Sequence, residues 1–174
     1  MTTILAVTRD GRSVLGGDGQ VTLGQQVQKH KAVKVRALRG HAVLAGFAGG
    51  AADALALLDR FEGKLEEASG MLLKAAIELA KEWRTDRAMR RLEAVLVLAD
   101  AQTILLLSGN GDVVTPDDGV LAAGSGGAVA AAAARALLRH TALPLKEIVE
   151  ASLRIAAEID LHTNDHLTIL EVAS

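Results

Sequence analysis

The order in which strand-like and helix-like blocks follow one another constrains this fold more than any single residue does. Extended apolar or β-branched stretches at 3–8, 12–17, 33–36 and 41–46 come first, and helical stretches at 50–67 and 71–90 follow. Strands resume at Leu92–Leu98, Thr103–Leu107 and Val120–Ala123, helices return at 127–140 and 145–160, and a last strand spans His166–Val172. A parallel sheet needs a crossover between successive strands, so its helices alternate with its strands; grouped strands and grouped helices predict antiparallel sheets with segregated helices. Two sheets stacked face to face, each covered outside by a helix pair, satisfy this order. The expected class is therefore α+β, as a four-layer αββα sandwich.

Composition supports one unit with a real core. The chain has 174 residues, 50% of them apolar but only 2% aromatic, so aliphatic side chains and many alanines must fill the interior. A mean hydropathy of +0.28 is rich for this size and predicts that some apolar surface is buried between subunits. The helix at 145–160 carries Ile148, Ser152, Ile155 and Ile159 on one predicted core stripe, with Pro144 at its first turn. No Pro/Ser-rich linker divides the chain, so 1–174 reads as a single domain.

Several classes are disfavoured. A net charge of −2, with no basic stripe interleaved with aromatics, gives no reason to expect nucleic acid. Cysteine is absent, which excludes disulfides, thiol catalysis and cysteine-bound metals. The longest uncharged run, Gly119–Ala134, is broken by glycines and falls short of the roughly 20 apolar residues a membrane span needs. No secretory signal is visible, so the expected location is cytoplasmic.

Chemistry concentrates at a few positions. Thr2 directly follows Met1; if Met1 is removed, one residue carries both a hydroxyl and an α-amine, which titrates near ~7.7–8.0 and can accept the hydroxyl proton at neutral pH. The segment Thr2–Val7 reads as a buried strand, which would hold that terminus still. Asp18 lies at the end of the second strand, where Asp18-Gly19 reads as a hairpin turn. Lys34, between Val33 and Val35, is predicted to point to the opposite face of a short strand, where a cation needs an anionic partner. A lysine beside the amine would favour its neutral form and stabilise a developing alkoxide. On spacing alone, however, Asp18 reads equally as a turn residue and Lys34 as a solvated edge charge. Gly46, Gly49 and Gly50 mark a strand-to-helix junction whose N–H groups can face an oxyanion, or whose glycines serve packing alone. Ser125, ahead of the alanine-rich helix, reads as an N-cap. Val21 and Ala32 hint at an apolar pocket.

Taken together these residues resemble the bacterial proteasome-like peptidases, the HslV or ClpQ family of N-terminal nucleophile hydrolases. The resemblance is carried by Thr2-Thr3-Ile4, Gly17-Asp18-Gly19-Gln20-Val21-Thr22-Leu23-Gly24, Lys34-Val35-Arg36 and Ala45-Gly46-Phe47-Ala48-Gly49-Gly50. It continues through Lys81–Arg87, Ser108–Val114, Gly124-Ser125-Gly126-Gly127 and Thr163-Asn164, spanning almost the whole chain in one register.

The resemblance implies the same αββα sandwich and a threonine-type endopeptidase in which Thr2, after loss of Met1, attacks the scissile carbonyl with its own amine as base. Asp18 and Lys34 match positions that tune the nucleophile, Gly46 the position whose N–H meets the oxyanion, and Ser125 a serine that supports the terminal amine. It further implies a sodium ion held by the backbone carbonyls of Ala157, Asp160 and Thr163, although Ala157 and Asp160 depart from the glycine and cysteine common there. Read without the family, Glu158, Asp160, His162 and His166 could suggest a divalent-metal cluster, but alternating polar residues near a helix end are more often a solvated edge. Implied partners are copies of the chain in two stacked six-membered rings, unfolded protein substrates, and the hexameric AAA+ ATPase HslU or ClpY, without which cleavage should be weak. The chain has no P-loop, so ATP belongs to that other subunit. Two other classes remain open: a noncatalytic ring subunit of the same fold, and a small-molecule amidase of the N-terminal nucleophile class. The lysine at 34 and the place of Thr2 next to Met1 weigh against the first, and a panel of peptides and amides separates the second.

Overall fold

A computed structural model describes residues 2–38, 42–85, 94–108 and 110–174. The chain runs as β1 (Thr3–Arg9), β2 (Arg12–Gly17), β3 (Val21–Leu23), β4 (Gln26–Lys29), β5 (Val35–Ala37), β6 (Leu44–Gly49), α1 (Ala51–Glu67), α2 (Leu72–Thr85), β7 (Ala94–Ala99), β8 (Ile104–Ser108), β9 (Val113–Val114), β10 (Val120–Gly124), α3 (Gly127–His140), α4 (Leu145–Ile159) and β11 (Thr168–Ala173). Strands pair antiparallel in two main sheets, ordered β10-β1-β2-β11 and β5-β6-β7-β8-β9, with β3-β4 as a separate two-stranded ribbon. Helices α3 and α4 cover the first sheet, α1 and α2 cover the second, and the sheets face each other. This is the αββα sandwich expected from the block order.

Strand β1 shows why its sequence is apolar throughout. Ile4 and Ala6 point into the layer between the sheets with Leu15 and Val97, while Leu5 and Val7 point outward beneath α3 and α4 with Ile148 and Leu153. Both faces of the strand are buried, so polar alternation is lost. The layer beneath α1 and α2 holds Phe61 and Trp83, both fully buried among leucines and alanines, with the partly buried Phe47 packed against it.

Several expectations are corrected. The Asp-Gly hairpin falls at Asp10-Gly11, whose φ values of 53° and 73° suit the tight turn between β1 and β2, whereas Asp18-Gly19 is not a hairpin because β2 does not pair with β3. The buried stripe of α4 is Ile148, Val149, Ser152, Leu153 and Ala156, while Ile155 and Ile159 are 38% and 64% exposed. Gly16 permits this rotation, since a Cβ there would lie 2.7 Å from both Leu153 and Val149. Alternation also fails at Val33, 62% exposed, against buried Lys34 and Val35, because regular strand begins only at Val35. The expected strand at 41–46 runs instead as 44–49, with His41 outside the described residues; the expected helix at 71–90 is described only to Thr85, and the start of the strand expected at 92–98 likewise lies outside them.

Candidate active site

Thr2 precedes β1 on the strand flanked by β2 and β10, so two neighbours fix its backbone: Thr3 pairs with Gly124, and Ile4 pairs with Gly17. Asp18 follows β2 immediately and is fully buried. Its Oδ1 accepts three hydrogen bonds, from the Thr2 hydroxyl at 3.0 Å, the Thr3 N–H at 2.9 Å and Lys34 Nζ at 2.8 Å. Its Oδ2 accepts the N–H of Gln20 at 2.8 Å and of Asn164 at 3.4 Å. The carboxylate is thus a fixed hub that sets the Thr2 hydroxyl and the Lys34 ammonium around one oxygen. Burial pushes the Lys34 ammonium below the usual lysine value of 10.5, and the hydrogen bond and charge of Asp18 oppose that shift without cancelling it. The turn-residue and edge-charge alternatives for this pair are therefore wrong: both side chains are buried, at 0% and 7% exposure, and joined.

Thr2 and Lys34 open onto a cleft of about 640 Å³ whose walls come from the β3-β4 ribbon, Ala32 and Val33 on one side and Phe47, Gly49 and Gly50 on the other. Val21 and Ala32, the expected pocket residues, both line it. Gly46 does not. The Phe47 N–H donates to the Lys34 carbonyl at 3.1 Å, so the two-residue period of β6 sends the Gly46 N–H to the other edge, toward Val97 of β7. Gly46 instead packs between the sheets, where a Cβ would lie 2.8 Å from Ile4 and 3.1 Å from Val35. Gly49, with a φ of 111°, and Gly50 are the glycines of this junction that reach the cleft beside Thr2. The strand period could have located them, had the strand been placed three residues later.

Ser125 is not a cap: α3 starts behind Gly126 with no side-chain cap. Its hydroxyl lies 3.5 Å from the Thr2 carbonyl and donates to Asp160 Oδ2 at 2.7 Å. The same carboxylate oxygen accepts the Thr163 hydroxyl, which is 2.6 Å from the Thr3 hydroxyl, and Thr3 in turn accepts the N–H of Gly126 at 3.1 Å. Burial alone would raise the Asp160 carboxyl, but the hydroxyls of Thr163 and Ser125 outweigh it and hold that group below the usual aspartate value. Thr3, Gln20 and Asn164 had no sequence signal as site residues beyond the matched motifs. Among the described residues no three His, Asp or Glu side chains group as a metal site.

Gly124 fixes the approach to Thr2. Its φ is 92°, and a Cβ there would lie 1.8 Å from the Thr2 carbonyl oxygen. Gly124→Ala is expected to cost about 1–3 kcal/mol of stability and to lower turnover on the order of 10²-fold through displacement of Thr2, read by thermal melting and peptide hydrolysis.

The profile of proteasome subunits matches residues 1–172. The chain belongs to the proteasome subunit family. Within that family it is 58% identical over 171 residues to the ATP-dependent protease subunit HslV of Pseudothermotoga lettingae, covering 98% of this chain and 97% of that protein. It matches the subunit of the same name from Aquifex aeolicus at 58% with the same coverage. Among solved structures, the eukaryotic HslV of Trypanosoma brucei superposes with a TM-score of 0.94 at 45% identity, covering 99% of each chain. Proteasome-family membership agrees with the sandwich and with the resemblance seen in the sequence. Among the described residues no helix is long and apolar enough to cross a membrane.

Proposed function

We propose that this chain is the proteolytic subunit of an ATP-dependent protease and that Thr2, freed of Met1, is its nucleophile. The observation that carries this reading is the convergence of the Thr2 hydroxyl and the Lys34 ammonium on one buried oxygen of Asp18 at the floor of an open cleft. Removal of Met1 converts the Thr2 nitrogen from an amide into an amine. That amine takes the hydroxyl proton as Oγ attacks the scissile carbonyl, and the proton then passes to the leaving amine as the peptide bond breaks. Water, activated by the same amine, hydrolyses the ester left on Thr2. Asp18 fixes the hydroxyl and the lysine, and the Lys34 charge stabilises the developing alkoxide. The tetrahedral oxyanion is assigned to the N–H groups of Gly49 and Gly50, in place of Gly46, because these line the cleft. Ser125, beside the Thr2 backbone, supports the freed amine.

A sodium ion fits the end of α4. The carbonyl of Ala157 accepts no backbone hydrogen bond among the described residues, and a helix C-terminus carries partial negative charge. Carbonyl oxygens suit a hard cation. Ala157, Asp160 and Thr163 would hold it, and its role would be to stiffen the turn that presents Asp160 and Thr163 to Ser125 and Thr3. The Asp160 carbonyl already accepts the Thr163 N–H at 3.1 Å, so it would contribute its second lone pair.

The names of the relatives, each an ATP-dependent protease subunit, support a partner that supplies ATP hydrolysis; that this partner is an AAA+ ATPase, that the subunits form a double ring of six each, that the substrates are unfolded proteins and that the protein acts in the cytoplasm are proposed on the resemblance read in the sequence. Hydrolysis of a fluorogenic peptide, measured with the purified chain alone and with a relative's ATPase plus ATP, tests the reading. Cleavage is expected to be weak alone and to rise at least tenfold, about 1.4 kcal/mol in transition-state terms, with the ATPase; cleavage equally low in both would overturn it.

A further inference from the structure

The side chain of Asn164 touches neither Thr2 nor the cleft, yet it makes three hydrogen bonds to backbone. Its Oδ1 accepts the N–H of Gly19 at 3.1 Å and of His166 at 3.2 Å, and its Nδ2 donates to the carbonyl of His30 at 2.9 Å. Gly19 and His30 are the two legs of the excursion that carries the β3-β4 ribbon, and the Gly19 carbonyl accepts the Ala32 N–H at 2.9 Å just beside them. The carboxamide therefore acts as one more rung of a ladder, tying both legs to the segment between α4 and β11. The legs are drawn so tight that a Cβ on Gly19 would lie 2.5 Å from the His30 carbonyl oxygen.

The ribbon needs this anchor. It is a lone two-stranded hairpin, and such pairs are marginal without packing; β4 is exposed along its whole length, and Leu23 is 67% exposed. Gln20 adds a second tie, donating to the Leu161 carbonyl at 2.9 Å. The ribbon supplies one wall of the cleft, through Val21, Thr22, Leu23 and Lys29.

We propose that Asn164 is a positioning residue for the substrate: its carboxamide pins the base of the β3-β4 ribbon and so sets the wall against which an extended peptide lies, without acting on the nucleophile. This rests on the reading of Thr2 as nucleophile and of the cleft as the peptide site. Its consequence is a split in kinetics, since the wall contributes to binding, whereas the hydrogen bond from Asn164 to Asp18 Oδ2 comes from its backbone N–H, which a side-chain substitution keeps.

Two variants and two substrates test this on the chain coupled to its ATPase. Asn164→Ala removes all three side-chain bonds and is expected to raise KM for a fluorogenic peptide by roughly tenfold with kcat held within about threefold. Asn164→Asp keeps the acceptor but replaces the donor to His30 with a carboxylate oxygen facing the His30 carbonyl, and is expected to raise KM by at least about threefold; it serves if the alanine variant fails to fold. Acylation of Thr2 by a small activated ester, which is too short to reach the ribbon, should keep its wild-type rate in both. Amides of residues 21–29 should exchange with solvent faster in both variants while those of β1 do not. Unchanged KM with unchanged exchange in the ribbon, or an ester acylation rate that falls as far as peptide turnover, would overturn the proposal. Wild-type protein that the ester does not acylate at Thr2 would instead overturn the threonine reading beneath it.

Discussion

Thr2→Ala protein, freed of Met1, is expected to cleave peptides at least on the order of 10⁴-fold more slowly than the wild type, while its melting temperature and subunit assembly stay close to wild type. The asymmetry follows from what the side chain does. In the folded chain Thr2 contributes one hydroxyl hydrogen bond, to Asp18, and such a bond is worth about 0.5–1.5 kcal/mol net. Asp18 Oδ1 keeps its bonds to the Thr3 N–H and Lys34 Nζ, so no buried group is orphaned. In the reaction, by contrast, that hydroxyl is the atom that forms the new bond. Neither the Lys34 ammonium nor the Asp18 carboxylate is placed to replace it. Peptide hydrolysis and thermal melting on the same preparation measure the two effects; residual cleavage near the wild-type rate would assign the nucleophile elsewhere.

Lys34→Ala is expected to be costly in both respects. Lys34 and Asp18 are buried, and their contact at 2.8 Å is the ion pair at the centre of the site. Removing the ammonium leaves a fully buried carboxylate with only N–H and hydroxyl donors, and breaking a buried pair from one side costs about 3–5 kcal/mol. The transition state loses the positive charge beside the attacking oxygen, a loss on the order of 10²–10³ in kcat by comparison with other electrostatic groups. The double variant Asp18→Asn, Lys34→Ala separates the two. It should regain part of the stability, because the uncompensated charge is gone, and none of the activity. Strictly additive stability losses would mean that the two side chains do not interact as the geometry places them.

Much of this was legible in the residues because local pattern and global fold agree. The apolar run at Thr3–Val7 is long because β1 is buried on both faces, and its place between β2 and β10 follows from the antiparallel block order. The helix pairs were readable from their period, and α3 and α4 lie at the expected positions. The misses have physical causes. Asp18-Gly19 carries the composition of a hairpin, yet the carboxylate of Asp18 is spent inward on Lys34 and the terminus, so the chain leaves the sheet instead of folding back. The β3-β4 ribbon carries no strand signal in the sequence although Gly24, with φ of 58°, sits at its turn; polar Gln26 and Gln28 mask an alternation that no core face enforces.

Site residues divide along the same line. Thr2, Asp18 and Lys34 could be named because they carry chemistry, and the fold brings them together from three separate segments. Ser125 reads as a cap from sequence because the helix behind it is obvious; its actual partner, Asp160, is 35 residues away and invisible to local pattern. The resemblance points to Gly46, three residues short of Gly49 at the cleft, and a shift by an odd number of residues along a strand reverses the edge an N–H serves. Asn164 carries no signal beyond its matched motif, since two of its three side-chain partners, Gly19 and His30, lie more than a hundred residues away in the chain.

The state of the Thr2 nitrogen tests the mechanism most directly. Intact-mass spectrometry of the protein before and after separation of Met1-bearing from Met1-free chains, with peptidase activity measured on each fraction, links that nitrogen to catalysis. Activity is expected only in the fraction lighter by one methionine residue, with the acyl group of a trapped intermediate mapped to Thr2. A Met1-bearing fraction that cleaves peptides as fast as the processed one would contradict the account.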